Sequence, residues 1–283
     1  MLAWPAPAKI NLFLHVTGRR PDGYHLLQTV FQFLDFGDEL AFEITDDPHI
    51  GRATELDTVP EDRDLTVRAA RLLQTRTGVG RGVRIHLNKR LPLGGGLGGG
   101  SSDAATTLMA LNRLWQTGLS NAELAALGLQ LGADVPVFIG GHAAWAEGVG
   151  EILTPVDPPE RWYVVLNPRV SVSTATVFAD PELTRHTPPI TIRAFREGLG
   201  HNDLEPVVRR LHPEVGVALD WLRERGPARM TGSGGCIFLP VVDAASGGRI
   251  LAEAASRWTG FVARGINRHP ITTSDWPRNR ESF

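Results

Sequence analysis

Hydrophobic and polar positions alternate with a period of two over Lys9–Val16, which predicts a strand with Ile10, Leu12 and Leu14 on one face and Lys9, Asn11, Phe13 and His15 on the other. The turn signal Arg20-Pro21-Asp22-Gly23 follows, and two more strands are predicted within Gln28–Phe36 and Glu39–Ile44, parted by Gly37-Asp38. The spacing becomes helical over Leu65–Gln74 and returns to alternation over Gly82–Asn88. Helices are predicted over Asp103–Trp115 and Ala122–Leu131, and reversals at Gly132 and Gly140-Gly141 bracket the short segment Ala133–Ile139. Later come a buried-type strand at Trp162–Leu166, helices around Leu204–Leu211 and Val215–Arg225, a glycine turn at Thr231–Gly235, a strand at Cys236–Val242 and a helix over about Gly248–Arg257. The proline-rich stretch Thr154-Pro155-Val156-Asp157-Pro158-Pro159 suits a stiff connector. The expectation is an α+β chain of two domains, 1–155 and 156–283, with a polar, poorly ordered tail from about Thr272.

Composition narrows the classes. Hydrophobic residues at 42% and charged residues at 21% predict an ordinary globular core, and a net charge of −2 gives no broad footprint for nucleic acid or a membrane surface. Cys236 is the only cysteine, which excludes a disulfide within the chain and a cysteine zinc cage. No apolar run approaches the ~20 residues needed to cross a bilayer, and no basic-then-apolar leader opens the chain. A cytoplasmic protein is expected, with no nucleic-acid or membrane partner.

The densest chemical signal is Pro92-Leu93-Gly94-Gly95-Gly96-Leu97-Gly98-Gly99-Gly100-Ser101-Ser102. Six glycines surround Leu97 in Gly94–Gly100, so the backbone can turn tightly and converge several N–H groups on one anion. Ser101 and Ser102 can cap the helix that follows, whose positive end points at the same anion. Strand, glycine loop, hydroxyls and helix start make a polyphosphate cradle. It is not a Walker A loop, because no lysine follows the last glycine. Gly94, Gly96 and Gly99 also satisfy G-x-G-x-x-G, which leaves a nicotinamide-dependent oxidoreductase as an alternative, although the acidic residue about 20 positions on is missing. A nucleic-acid-binding module is a third alternative, disfavoured by the charge balance.

In its form Pro-x3-Gly-Leu-x-Gly-Ser-Ser, the loop resembles the second motif of the galactokinase, homoserine kinase, mevalonate kinase and phosphomevalonate kinase superfamily. Pro7-Ala8-Lys9-Ile10-Asn11-Leu12 resembles the first motif, and the series continues with Arg20–His25, Leu131–Phe138 and Thr231–Gly234. Ala146–Glu151 and Asn202–Glu205 extend the resemblance, which runs from about Trp4 to Asn267. It implies an ATP- and Mg2+-dependent kinase of two domains, with a site in the cleft between them and a small-molecule acceptor, a cytidine-diphosphate-linked methylerythritol. The nearest rival is a superfamily kinase with another acceptor.

The same resemblance implies roles. Asp134, which by spacing alone is equally a turn-satisfying carboxylate, becomes the general base. Lys9, otherwise a surface lysine, pairs with it and stabilises charge, and Asn11 contacts the substrate polyol. Tyr24 stacks on cytosine and His25 binds its edge, with Phe178 as the opposite face of the sandwich and Thr174 as a further contact. Phe178 fits a core position equally well, and Thr231–Gly235 fits a plain tight turn. Asp103 serves either the helix dipole or the metal region. Metal ligands are unassigned, because no acidic pair has ligand spacing and only Ser101 or Ser102 with water suggests itself. One departure concerns Asp64, where the superfamily pattern often has Asn near the adenine.

Overall fold

The computed structural model describes residues 1–54 and 59–273. Strand β1 (Trp4–Arg19) pairs antiparallel with β2 (His25–Thr45). Their register slips between Asn11, opposite Phe31, and Leu14, opposite Thr29. The extra residue is a β-bulge, and it reverses the expected alternation: Leu14 joins the face of Lys9 and Asn11, while Phe13 turns to a cluster with Val30 and Trp145.

The predicted break at Gly37-Asp38 does not exist, and β2 runs straight through it. Gly37 is there because β1 crosses too close for a side chain; a Cβ would strike the Ala6 carbonyl. Strand β3 (Ile50–Arg52) lies parallel to β4 (Gly82–Asn88), which pairs with β2, and helix α1 (Leu65–Thr77) covers them.

Helix α2 (Gly99–Leu114) starts four residues earlier than predicted, so Gly99–Ser102 form its first turn. Its N-cap is Gly98 at φ 70°, and Ser101 and Ser102 do not cap it. Packing overrides the poor helix propensity of glycine and serine here. Helix α3 (Asn121–Leu129) opens on a Ser120–Glu123 capping box, and α4 (Val135–Gly140) is a short helix where only a segment between turns was read. Strands β5 (Ala144–Glu147) and β6 (Ile152–Pro155) complete this lobe against β2.

The second lobe contains β7 (Trp162–Asn167), the short helices α5 (Thr174–Ala179) and α6 (Ile192–Arg196), then α7 (Glu205–Leu211), α8 (Pro213–Arg223), β8 (Arg229–Met230), β9 (Ile237–Val241), α9 (Ala244–Ala254) and β10 (Thr259–Ile266). Sequence periodicity did not reveal α5, α6 or β10. The sheet order β3-β4-β2-β10-β7-β9-β8 makes β10 the seam between lobes.

Each lobe has its own apolar core, and each borrows across the chain. Ile271 enters the first, built around Phe33, Leu108 and Phe138, while Leu14 and Val16 enter the second, around Leu219 and Ile237. Strand β6 ends at Pro155, the expected boundary between the two domains. Of the tail expected from Thr272, Pro270–Thr272 form an ordered single turn, and residues 274–283 lie outside the described residues.

Candidate active site

A cavity of about 680 Å3 lies where β1, the glycine loop, the start of α4 and the second lobe converge. Lys9, buried in β1, donates from Nζ to Asn11 Oδ1 at 2.7 Å and to the Gly96 carbonyl at 3.0 Å. Its ammonium stands 3.2 Å from Asp134 Oδ2 and 5.2 Å from the Phe31 ring centroid. A lysine with this many partners is not a solvated surface group. Asp134 precedes α4 but makes no cap hydrogen bond to it, so its carboxylate faces the cavity and Lys9 rather than the turn. Asn11 is fixed in turn by donating from Nδ2 to Thr29 Oγ1 at 2.9 Å.

The glycine loop is fitted against its neighbours with no room to spare. Gly94, Gly96 and Gly98 line the cavity with φ near 70°. A Cβ on Gly96 would run into the Thr231 carbonyl, one on Gly95 would lie 2.8 Å from Cys236 Sγ, and one on Gly98 would lie 3.0 Å from Lys9 Cε. Gly95 O accepts from Cys236 N at 3.0 Å, which ties the loop to the turn at Thr231–Gly235. Asn202 Nδ2 holds that turn from behind by donating to Met230 O and Gly232 O. Behind the loop, Leu97 is buried, as is Ser102, whose Oγ finds no partner among the described residues. Pro92, Leu93, Gly95, Gly99, Gly100 and Ser101 also stand outside the cavity lining. The first N–H groups of α2 have no intrahelical acceptor, and no side chain caps them. Backbone glycine at the start of a 16-residue helix therefore fits a phosphate chain.

Beneath the loop, Lys89 Nζ lies 2.6 Å from both Asp38 and Asp103. Asp38 also accepts from Arg90 N and Leu91 N, whereas Asp103 Oδ1 is buried without a partner. Burial, with repulsion from Asp38, pushes the Asp103 carboxyl up to about 7 against the pull of Lys89. Asp103 is thus an interior carboxyl and not an exposed dipole charge. Asp64 caps α1 by accepting from Thr66 N at 2.8 Å, and its other oxygen meets Arg52 Nη1 at 2.5 Å. The departure from Asn is matched locally by a cation.

At the far end, Tyr24 is 65% exposed, an open aromatic face on the cavity rim. His25 packs its ring on Phe178 at 5.0 Å between centroids. Arg185 Nε donates to His25 Nε2 at 3.0 Å, which leaves the ring proton on Nδ1. Burial, then Arg185 and Arg19, lower the His25 pKa. Thr174 Oγ1 and Ser233 Oγ lie 2.6 Å apart on the cavity wall. Sequence reading brought Lys9, Asn11, Tyr24, His25, Asp134, Thr174 and Phe178 to this one cavity, and all seven line it. It missed Phe31, Leu14 and Arg185. The last sits in an irregular segment where no periodicity marks it.

The chain matches the model for the N-terminal domain of GHMP kinases over residues 64–142 and the model for their C-terminal domain over residues 189–260. It is 58% identical over 269 residues, 95% of this chain and 97% of the relative, to the 4-diphosphocytidyl-2-C-methyl-D-erythritol kinase of Thiobacillus denitrificans. The chain belongs to the 4-diphosphocytidyl-2-C-methyl-D-erythritol kinase family of GHMP kinases. A second member, from Alkalilimnicola ehrlichii, is 60% identical over 93% of this chain and 90% of its own. A crystal structure of 4-(cytidine 5'-diphospho)-2C-methyl-D-erythritol kinase superposes with a TM-score of 0.82 at 34% identity, over 93% of this chain and 99% of that one. As a GHMP kinase, the chain is an ATP-dependent phosphotransferase acting on a small molecule. The dinucleotide alternative falls on topology as well: β5, the strand that follows the glycine loop and α2, pairs antiparallel with β2 and does not return parallel beside β4, so the loop does not open a parallel β-α-β unit. Among the described residues, no helix is long and apolar enough to cross a membrane.

Proposed function

We propose that the protein transfers the γ-phosphoryl group of ATP, with Mg2+, to the 2-hydroxyl of 4-diphosphocytidyl-2-C-methyl-D-erythritol. One observation carries the reading: Lys9 and Asp134 meet at 3.2 Å in a single cavity that extends from the glycine loop to Tyr24 and His25. Asp134 has no cap bond to surrender, so its carboxylate is free to orient the acceptor hydroxyl and take its proton as the O–P bond forms. The Lys9 charge, held by two oxygens and the Phe31 ring beside Asp134, stabilises the negative charge that develops during transfer. Because the hydroxyl is tertiary and crowded, positioning matters more than nucleophile strength.

Within the glycine loop, Pro92–Ser102, the backbone N–H groups of the glycines and of the α2 start receive the ATP phosphates. Magnesium, when bound, neutralises phosphate charge. Among the described residues no three His, Cys, Asp or Glu gather to cage it, and the ion would be held largely by phosphates and water, with the Ser101 hydroxyl at the α2 start as a protein group that would ligate it. Tyr24 and Phe178 sandwich the cytosine, and His25, with its proton on Nδ1, donates to the base edge. Arg185 positions His25, while Asn11 and Thr174 meet the polyol. The cytoplasm, where ATP is available, is the compartment this reading implies.

Asp134→Asn keeps the shape and removes the base. Turnover is expected to fall by about 10^3-fold or more, with the affinity for a non-hydrolysable ATP analogue unchanged by calorimetry. Near-normal turnover would remove Asp134 from the mechanism. Competition among the cytidine-linked substrate, mevalonate and homoserine fixes the acceptor, and preference for either of the latter two defeats the assignment.

A further inference from the structure

Asn11 faces the kinase cleft, but its neighbour Leu12 lines a second cavity of about 400 Å3, whose lining shares no residue with the first. Its size falls within the range of small-ligand sites. The walls are apolar and aromatic, from Tyr163, Ile192, Phe195 and Phe238, with prolines 158, 159, 227 and 240 at the margins. Such margins lose little freedom when a ligand enters.

The charges are one-sided. Arg161, Arg196 and Arg229 line the cavity against the single carboxylate of Asp157, which lies 3.3 Å from His142 Nε2. This surplus of cation sits in a chain whose net charge is −2. Arg161 and Arg196 have no side-chain acceptor and no ring partner among the described residues. Arg229 spends one N–H on the Leu12 carbonyl at 2.7 Å, and its remaining N–H groups have no protein acceptor there. Burial lowers its pKa, and Arg223 adds repulsion, so the half-buried cation lacks a counter-ion. Arg161, Arg229 and Tyr163 line the same cavity.

We propose that this cavity binds a phosphate ester bearing a small apolar group, at a site separate from those for ATP and the acceptor. The guanidinium forks of Arg161, Arg196 and Arg229 match phosphate oxygens two at a time, and the organic part rests against Phe195 and Phe238. A dianion matches the two positive charges left over after Asp157. A neutral apolar ligand would leave the arginines unpaired, and a bare anion would leave the aromatic wall wet.

Hexyl phosphate is the probe, titrated calorimetrically into protein saturated with a non-hydrolysable ATP analogue, with inorganic phosphate and hexanol as separate arms. Saturable one-to-one binding is expected, about tenfold tighter for hexyl phosphate than for either fragment. The double variant R161A/R196A, altered only at exposed positions, should weaken it at least about tenfold while melting temperature and turnover stay as in the parent. The proposal is overturned by absence of saturable heat, by hexanol binding as tightly as the ester, by unchanged binding in R161A/R196A, or by loss of binding when the ATP analogue is present.

Discussion

The two ends of the kinase cavity are built from different materials. At the glycine loop the surface is backbone, packed against Lys9, Thr231 and Cys236, and there is no room for a β-carbon at Gly96. At the Tyr24 end the surface is side chain, on an open turn, with an exposed ring and a histidine oriented by one arginine. A polyphosphate presents many equivalent oxygens, so a rigid array of N–H groups serves it. A heterocycle presents a face and a patterned edge, which need a ring and a donor of fixed tautomer.

The contrast can be broken most severely at the loop. Gly96→Ala should cut activity by at least about 100-fold and lower the melting temperature by roughly 5 °C or more. The new Cβ must displace the Thr231 carbonyl from a backbone held at φ 74°. Leu93→Ala, at the exposed margin of the same loop, should change little. Equal effects in the two variants would show that the tight fit is not what matters.

Next in size is Tyr24→Ala. A stacking contact worth about 1–3 kcal/mol predicts a rise of roughly tenfold or more in KM for the cytidine substrate, with kcat and the KM for ATP nearly unchanged. An unaltered acceptor KM sinks the stacking role.

Arg185→Ala should act through pH. In the parent, His25 has a lowered pKa and stays neutral below the usual histidine range, so the acceptor KM is expected to be flat down to that lower pH. Removing the nearby cation raises the His25 pKa, and the KM should begin to climb at a higher pH, nearer 6.5. A purely structural arginine would shift KM equally at every pH.

The smallest effect belongs beneath the loop. Asp103 binds its proton more tightly folded than unfolded, about 7 against 3.8, so its contribution to stability is full below 3.8 and is lost as pH rises through about 7. Asp103→Asn removes that loss. It should raise the melting temperature by roughly 2 °C at pH 8 and leave it unchanged at low pH; the reverse trend would show that the Lys89 pair dominates.

The same contrast explains what was legible in the sequence. Backbone chemistry declares itself, because a run such as Gly94–Gly100 has few structural uses, and the phosphate cradle could be read from it. The start of α2 was misplaced because propensity argues against helix at Gly99–Ser102, and only packing against β1 and α1 overrides it. Gly37 looked like a break because a glycine demanded by close approach and one demanded by a turn are identical on paper. The bulge after Asn11 carries no residue signature, so the side of β1 taken by Leu14 could not be read from alternation. Arg185 was hidden for a different reason: its value depends wholly on where His25 lies, 160 residues away in the chain.

The place of β10 in the sheet has a consequence for how the molecule is made. Thr259–Ile266 pairs with β7 on one side and with Leu34 and Phe33 of β2 on the other. Among the described residues, the strand that joins the two lobes is therefore the last in chain order. During translation, β2 must wait for a partner more than 220 residues downstream, and loop closure over such a span is slow. A ribosome stalled before residue 259 would hold a glycine loop and a Lys9 strand already formed, yet no seam to fix the second lobe across them. Catalytic competence thus arrives in a single step, once β10 has emerged, rather than growing with chain length.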